Sequence, residues 1–140
     1  SNNFEFAFGQ HSGVIDLNKD RYELPRFPIN EKYGEIKRFK EVISYLPLQY
    51  KIIKPENKFM NEGENPPKMT IEFFEDQKNL ENINCFSNEG SKWRKTKIIL
   101  NDNILNINFS EKFIERRGRI NCSLKDESGW RFSGFQFVQN

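Results

Sequence analysis

The sequence is poor in the residues on which metal-dependent and nucleophilic catalysis usually rely. It contains one histidine, His11, and two cysteines, Cys85 and Cys122, among 140 residues. A zinc site usually needs several His, Cys, Asp or Glu ligands together. A serine triad would need His11 as its base, but no serine lies in a nucleophile-elbow motif, and there is no glycine-rich phosphate loop. We therefore predict no catalytic residue, metal ligand or cofactor site in this chain.

The sequence also has little net charge and no long apolar run. Its 22 Lys and Arg residues nearly balance 20 Asp and Glu residues, for a net charge of +2. This excess is too small to indicate a nucleic-acid partner. The basic clusters at 92–97 and 116–119 could contact an acidic surface, but we favour their interpretation as solvated turn and strand residues. No apolar run approaches the length of about 18 residues that marks a membrane helix. The sequence predicts neither nucleic-acid binding nor a membrane span.

Aromatic residues are abundant: 14 Phe, 4 Tyr and 2 Trp. Each of them can bury about 150–250 Å², so they can supply a core. Trp93, Trp130 and Phe135 lie near predicted turns and allow two interpretations. They could fill the core, or they could form a flat platform for sugar rings. We favour core filling, because a small β-sandwich needs large apolar side chains inside it.

Residues 47–140 predict β structure. Apolar and polar residues alternate in short runs, as in Ile120, Cys122 and Leu124, which is typical of antiparallel strands with one wet face. The predicted strands are 50–53, 69–74, 82–86, 97–100, 104–109, 119–124 and 130–138. Turn motifs at 88–91, 101–103 and 126–129 separate some of them. The pattern predicts an immunoglobulin-like antiparallel β-sandwich.

Two stretches of this region need a special interpretation. In the last strand Trp130 and Phe132 share one face whereas Phe135 and Phe137 share the other, so we predict a β-bulge at Gly134 that resets the alternation. Residues 56–67 contain few apolar side chains, and we predict a long surface loop there.

Residues 1–46 have α/β character and form the first predicted unit. Residues 4–8 alternate as a strand, 9–13 form a loop, and 24–29 are extended because of two prolines. Ile36, Phe39, Ile43 and Leu46 recur at helical spacing, and Pro47 should end the helix at Leu46. So short a unit rarely builds its own core. We expect it to pack on residues 47–140, on an upstream part of the protein or on a second copy.

The two cysteines leave two interpretations open. Both lie on the apolar side of a predicted strand, each in the tripeptide Ile-Asn-Cys, at 83–85 and 120–122. A disulfide is feasible if the fold brings their Cα atoms within about 7 Å. Two buried free thiols would fit equally well, because a free cysteine packs as a small apolar residue.

Motifs along most of the chain resemble the end of a polysaccharide deacetylase. They are Ala7-Phe8-Gly9-Gln10-His11-Ser12-Gly13, Leu24-Pro25-Arg26-Phe27-Pro28-Ile29, Tyr33-Gly34, Arg38-Phe39, Leu46-Pro47-Leu48, Glu64-Asn65-Pro66-Pro67, Cys85-Phe86, Arg119-Ile120-Asn121-Cys122 and Trp130-Arg131-Phe132. Their order and spacing are similar to those of a bacterial subgroup of carbohydrate esterase family four, which appends a β-sandwich to a deacetylase (β/α) barrel. The resemblance implies that residues 1–46 are the terminal segment of the barrel and residues 47–140 the sandwich.

The resemblance also implies an activity for the parent protein. The family removes N-acetyl groups from polysaccharides with a divalent metal, commonly zinc, held by an aspartate and two histidines, and with another aspartate as base. These motifs lie upstream in the family and none is found here, so we expect this chain alone to be inactive. His11 and Arg26 are instead substrate-binding candidates at the mouth of the barrel. The alternative for His11 is a loop histidine bonded to nearby backbone.

The resemblance further implies a cell-envelope or periplasmic location, where a Cys85–Cys122 disulfide is favoured. The expected partners are the polysaccharide, through the parent enzyme, and either the upstream barrel or a second copy that covers residues 1–46. The alternative function is a carbohydrate-binding or structural β-sandwich without catalysis. Exposed tryptophans would favour sugar binding, and buried tryptophans would favour a structural role.

Overall fold

A computed structural model describes residues 3–32 and 34–140, so Tyr33 of the Tyr33-Gly34 motif lies outside the described residues. The fold is mainly β, with 36% of residues in strands and 12% in helices. The elements in chain order are α1 (Ile36–Ile43), β1 (Leu46–Pro47), β2 (Ile52–Lys54), β3 (Phe59–Met60), β4 (Met69–Glu72), β5 (Asn84–Ser87), β6 (Arg94–Lys95), β7 (Lys97–Asn101), β8 (Ile104–Asn108), β9 (Arg117–Asp126) and β10 (Gly129–Gln139). Single 3₁₀ turns lie at Glu62–Glu64, Leu80–Asn82 and Glu89–Ser91.

The strands form two sheets. The first sheet has the order β1-β10-β9-β5-β6, with β3 also paired to β10, and the second has the order β2-β4-β8-β7. Most pairs are antiparallel as predicted, but β1 and β3 each run parallel to β10. Neither sheet closes into a barrel within the described ranges. The predicted domain boundary falls inside β1, and it stays a prediction.

One apolar core lies between the two sheets. Ile71 of β4 and Leu105 of β8 contribute to it from the second sheet, and Ile120 of β9 and Phe137 of β10 contribute from the first. The remaining strand residues of β8 and β9 alternate with these in exposure. This arrangement is consistent with a β-sandwich, in which the inner faces of two sheets share one core.

The predicted bulge at Gly134 is wrong. β10 pairs with β9 in unbroken register from Gly129 opposite Asp126 to Val138 opposite Arg117. Phe135 and Phe137 point into the core, while Phe132 lies on the outer face, which is the side of the first sheet away from the core. Apolar residues occur on both sides of β10 because both of its faces are covered. The core covers the inner face, and the amino-terminal segment, residues 3–45, covers part of the outer face.

Gly134 instead allows the amino-terminal segment to cross the sheet closely. A Cβ atom at Gly134 would lie only 1.7 Å from the carbonyl oxygen of Ser12. Beside this crossing, the Phe132 ring contacts Phe27 at 5.0 Å and stacks on Tyr45 at 5.8 Å between centroids. Glycine at this position removes the side chain that would otherwise hold the two backbones apart.

The amino-terminal segment has less regular structure than predicted. Residues 4–8 do not form a strand, because only one isolated bridge, between Phe8 and Leu24, joins this stretch to a neighbour. The helix is α1, and it ends at Ile43 rather than Leu46. The Ser44 hydroxyl donates to the carbonyl of Glu41 at 2.7 Å, and Leu46 already pairs with β10.

The predicted surface loop at 56–67 is also partly wrong. It contains β3, and Met60 within β3 is only 2% exposed in the core. The turn predictions at 101–103 and 126–129 are confirmed, since β7 and β8 pair as a hairpin around Asp102 and Asn103, and β9 and β10 pair around Glu127 and Ser128.

The structure joins Cys85 of β5 to Cys122 of β9 in a disulfide. The two residues lie opposite each other in the antiparallel register, with their Cα atoms 4.1 Å apart. Both are fully buried. The bond therefore ties the first sheet together across its centre.

Among the described residues, no helix combines the length and apolarity that crossing a lipid bilayer requires.

Candidate substrate-binding cleft

A small polar cleft lies where the amino-terminal segment meets the edge of the first sheet. Its volume is about 150 Å³. The side chains with polar chemistry that line it are those of His11, Lys19, Asp20, Glu23, Tyr50, Glu56, Lys58 and Gln136. The first four come from the amino-terminal segment and the rest from the sandwich, so the cleft exists only because the two parts pack together.

His11 is held in the wall of this cleft and is 9% exposed. Its carbonyl oxygen accepts a hydrogen bond from the backbone N–H of Arg26 at 3.0 Å. Its Nδ1 atom is buried and has no hydrogen-bond partner within the described ranges. Burial lowers the pKa of His11 by desolvating its charged form, and this outweighs the opposing charge of Glu23. His11 is therefore a neutral imidazole near pH 7.

Glu23 connects the two halves of the cleft. Its carboxylate forms an ion pair with Lys58 and accepts a hydrogen bond from the side-chain amide of Gln136. The carbonyl oxygen of that amide is buried without a partner among the described residues. A ligand hydroxyl or amide N–H could satisfy this acceptor.

Lys19 and Tyr50 also line the cleft and lie next to each other. The Lys19 ammonium lies 5.0 Å from the centre of the Tyr50 ring and 3.3 Å from the Ser133 hydroxyl. Burial lowers the pKa of Lys19 and raises the pKa of Tyr50, in each case by disfavouring the charged form. The cleft thus offers a partly buried cation, a phenol and unpaired hydrogen-bonding atoms, which suits a small polar group.

Arg26, the second substrate-binding candidate, is exposed, and its side chain does not line the cleft. The structure brings the backbones of His11 and Arg26 together but not their side chains. The roles of both residues in substrate binding stay predictions. Sequence analysis missed Lys19, Glu23 and Gln136, because their approach depends on long-range packing that no local pattern records.

The described side chains do not fit a metal centre. No three His, Cys, Asp or Glu residues within 3–32 and 34–140 come together in a way that could hold a metal ion. We assign no metal-dependent step to these residues.

Several apolar side chains of the amino-terminal segment are exposed. α1 buries none of its residues, and Ile36 is 73% exposed. Phe4, Phe6 and Phe8 line an open groove with Tyr22. The expectation that this unit cannot bury its own apolar face is confirmed for these residues: one side of the segment packs on β10 and the other faces outward.

The tryptophans are not core residues. Trp93 is 49% exposed and Trp130 is 47% exposed, whereas Phe135 is buried. The core-filling interpretation is therefore wrong for both tryptophans and correct for Phe135. Trp130 lies on the outer face of the first sheet because it shares the side of β10 that carries Phe132, whereas Phe135 and Phe137 are on the side that faces the core.

Comparisons with protein-family models, with curated proteins and with solved structures find no match for this chain.

Proposed function

We propose that this chain is the carboxy-terminal accessory part of a polysaccharide deacetylase. In this proposal residues 47–140 are an immunoglobulin-like sandwich and residues 1–46 are the terminal strand, loop and helix of a (β/α) barrel. The parent enzyme hydrolyses N-acetyl groups on a glycan with a metal held by its upstream part. The chain alone is inactive, and its location is the cell envelope or periplasm.

The observation that carries the proposal is the uncovered apolar surface of the amino-terminal segment. Phe39 and Ile43 follow Ile36 on one side of α1, and all three are at least 47% exposed. Apolar side chains at i, i+3 or i+4, and i+7 mark the face of a helix that packs on other elements. An outward-facing stripe of this kind is what a terminal barrel helix would present once the rest of the barrel is taken away.

Two further features support the proposal. The cleft around His11 lies in the segment that would border the barrel, so it could contact a glycan bound there. The buried disulfide between Cys85 and Cys122 is typical of proteins in oxidising compartments. Both features would also suit another secreted β protein, whereas the apolar stripe on α1 requires a partner surface.

Acetate release tests the proposal directly. The complete product of the gene and the present chain would each be incubated with N-acetylated glycans in the presence of zinc. We expect acetate from the complete protein only. A reading frame that encodes no Asp-Asp motif and no paired histidines upstream, or a complete protein that releases no acetate from any N-acetylated glycan, would refute the deacetylase assignment.

A further inference from the structure

The open part of the outer face of the first sheet carries aromatic rings in an ordered array. Phe86 of β5 lies between Lys95 of β6 and Asn121 of β9 in the strand register, so these three side chains form a row. Phe86 is 44% exposed. The opposite face of the same strands contains Cys85 and Cys122, so the outward direction of the row is fixed by the core.

A second ring lies next to this row. The guanidinium of Arg119 lies 5.7 Å from the centre of the Trp93 ring, and Glu115 holds the same guanidinium at 3.1 Å. Trp93 is therefore positioned by a cation–π contact on the surface rather than by burial. Its ring stays half exposed although the indole could bury a large area elsewhere.

The described part of the chain leaves the rings of this region exposed. The amino-terminal segment crosses the outer face at Gly134 and packs on Phe132, both of which belong to β10. Phe86 and Trp93 lie farther along the same face, over β5 and the start of β6, and remain exposed. We call the surface of Phe86, Trp93, Lys95, Arg119 and Asn121 the aromatic face.

The charges of this region are of one sign along the strands. The outward charged side chains of β6 and of the part of β9 beside Phe86 are cationic: Lys95, Arg117 and Arg119. Glu115, from the loop before β9, pairs with Arg119 and offsets only one of them. An anionic ligand would complement the remaining cations.

We propose that the aromatic face binds an anionic glycan chain. Sugar rings stack on Phe86 and Trp93, Asn121 hydrogen-bonds to hydroxyl or acetamido groups, and Lys95 contacts carboxylates of the glycan, while Arg119 holds the Trp93 ring in place. This inference goes beyond the accessory role by assigning a ligand class to a second surface, which adjoins the cleft because Asn121 lies opposite Gly134 and Arg119 opposite Gln136 in the strand register. It rests on the proposed function for the choice of a glycan over other anionic polymers.

Binding would be measured by isothermal titration with three probes. Hyaluronan oligosaccharides alternate N-acetylglucosamine with glucuronate, chito-oligosaccharides contain N-acetylglucosamine alone, and a single-stranded oligonucleotide is anionic without sugars of this kind. We expect the hyaluronan fragment to bind at least about tenfold more tightly than the other two. Equal binding of chito-oligosaccharide would overturn the charge argument, and tighter binding of the oligonucleotide would overturn the glycan assignment.

Substitutions locate the binding surface. Trp93→Ala and Phe86→Ala are each expected to weaken hyaluronan binding about tenfold or more, because each removes one stacking ring. Trp130→Ala is the matched control, since it removes an equally exposed tryptophan from the far end of the same sheet. The affinity of this variant for hyaluronan should differ from that of the wild type by less than about twofold. Undiminished binding by the Phe86, Trp93 double variant would exclude the aromatic face.

The outcomes separate this inference from the proposed function. Hyaluronan binding by a complete protein that releases no acetate would leave the aromatic face in place and refute the deacetylase assignment. Acetate release by a complete protein in which Trp93→Ala and Phe86→Ala leave hyaluronan binding unchanged, or in which no hyaluronan binds, would do the reverse.

Discussion

Single residues decide how closely the amino-terminal segment packs on the sheet. Gly134 lets the backbone at Ser12 approach β10, and the preceding residue, His11, lines the cleft. His11 is buried in its neutral form, because transfer of an imidazolium out of water is costly. The packing of the amino-terminal segment on β10 should therefore weaken when a methyl group is added at Gly134 or when His11 is protonated.

Gly134→Ala should destabilise the protein. The new methyl group would overlap the Ser12 carbonyl, and overpacking of this kind costs about 1–3 kcal/mol. Chemical denaturation measures the loss. Gly63→Ala is the control, because nothing lies within 4 Å of a Cβ atom there, and an equal loss in both variants would show that the close crossing is not what matters.

His11 should make stability fall in mild acid. Because folding lowers the pKa of His11, the unfolded chain binds a proton more readily, so the free energy of unfolding should decrease as pH falls below about 6.5 and level off below the folded-state pKa. The slope contributed by one group is at most about 1.4 kcal/mol per pH unit. The difference between the wild type and His11→Gln, measured from pH 7 downward, isolates it. A difference that is independent of pH would contradict a buried neutral His11.

At the scale of elements, one disulfide and one aromatic cluster hold strands and segments of the first sheet together. The disulfide joins β5 to β9, and the cluster of Phe27, Tyr45 and Phe132 joins the amino-terminal segment to β10. The first lies inside the core and the second on the outer face. They should therefore affect different properties of the molecule.

Removal of the disulfide should lower global stability. The bond closes a loop with a sequence separation of 37, and loops of this size typically gain roughly 2–4 kcal/mol from a cross-link. Urea denaturation with and without reductant measures it. The double variant Cys85→Ala, Cys122→Ala should already be destabilised and insensitive to reductant; a wild-type protein equally insensitive would show that the bond is absent.

Phe132→Ala should loosen the amino-terminal segment. It deletes the ring that contacts both Phe27 and Tyr45. Such a deletion costs roughly 3–5 kcal/mol in a full core, and we expect the lower end of this range because Phe132 is only partly buried. Amide hydrogen exchange should accelerate around residues 10–28 more than in β4 and β8. Phe86→Ala, an exposed position on the same face, should leave exchange unchanged, and similar acceleration in both variants would contradict the role of the cluster.

The elements that sequence analysis predicted well are those with a local pattern. β8 and β9 alternate strictly between core and surface, and the hairpin turns carry residues suited to turns, so their positions follow from the order of residues. β10 was misjudged because its alternation reflects a second covering layer. The strand prediction at 4–8 is wrong because an alternating segment forms a strand only when a partner strand pairs with it. Within the described residues this stretch has only one isolated bridge, between Phe8 and Leu24.

The cleft was predictable only through His11. A histidine beside glycines in a loop is a local signal, whereas Lys58 and Gln136 reach Glu23 across 35 and 113 positions of sequence. Glu89 is a further example: it lies in a predicted turn yet is 1% exposed, where it accepts the backbone N–H of Glu111 at 2.8 Å. Such polar contacts depend on the assembled sheets.

At the scale of the whole molecule, the chain has a well-packed half and an uncovered half. The two sheets share a continuous core, while α1 and the groove of Phe4, Phe6 and Phe8 expose apolar side chains. Exposed apolar patches of this kind mark interaction sites. In our account the partner is the upstream barrel of the same protein, and a second copy of the chain is the competing partner.

The most direct test places a charge on the outward face of α1 in the complete protein. We predict that Phe39→Asp with Ile43→Asp reduces acetate release from N-acetylated glycan at least about tenfold, while Ile114→Asp, which alters an equally exposed loop residue, leaves it unchanged. Unaltered acetate release in the α1 variant, or release lost equally in both variants, would contradict a barrel docked on this face.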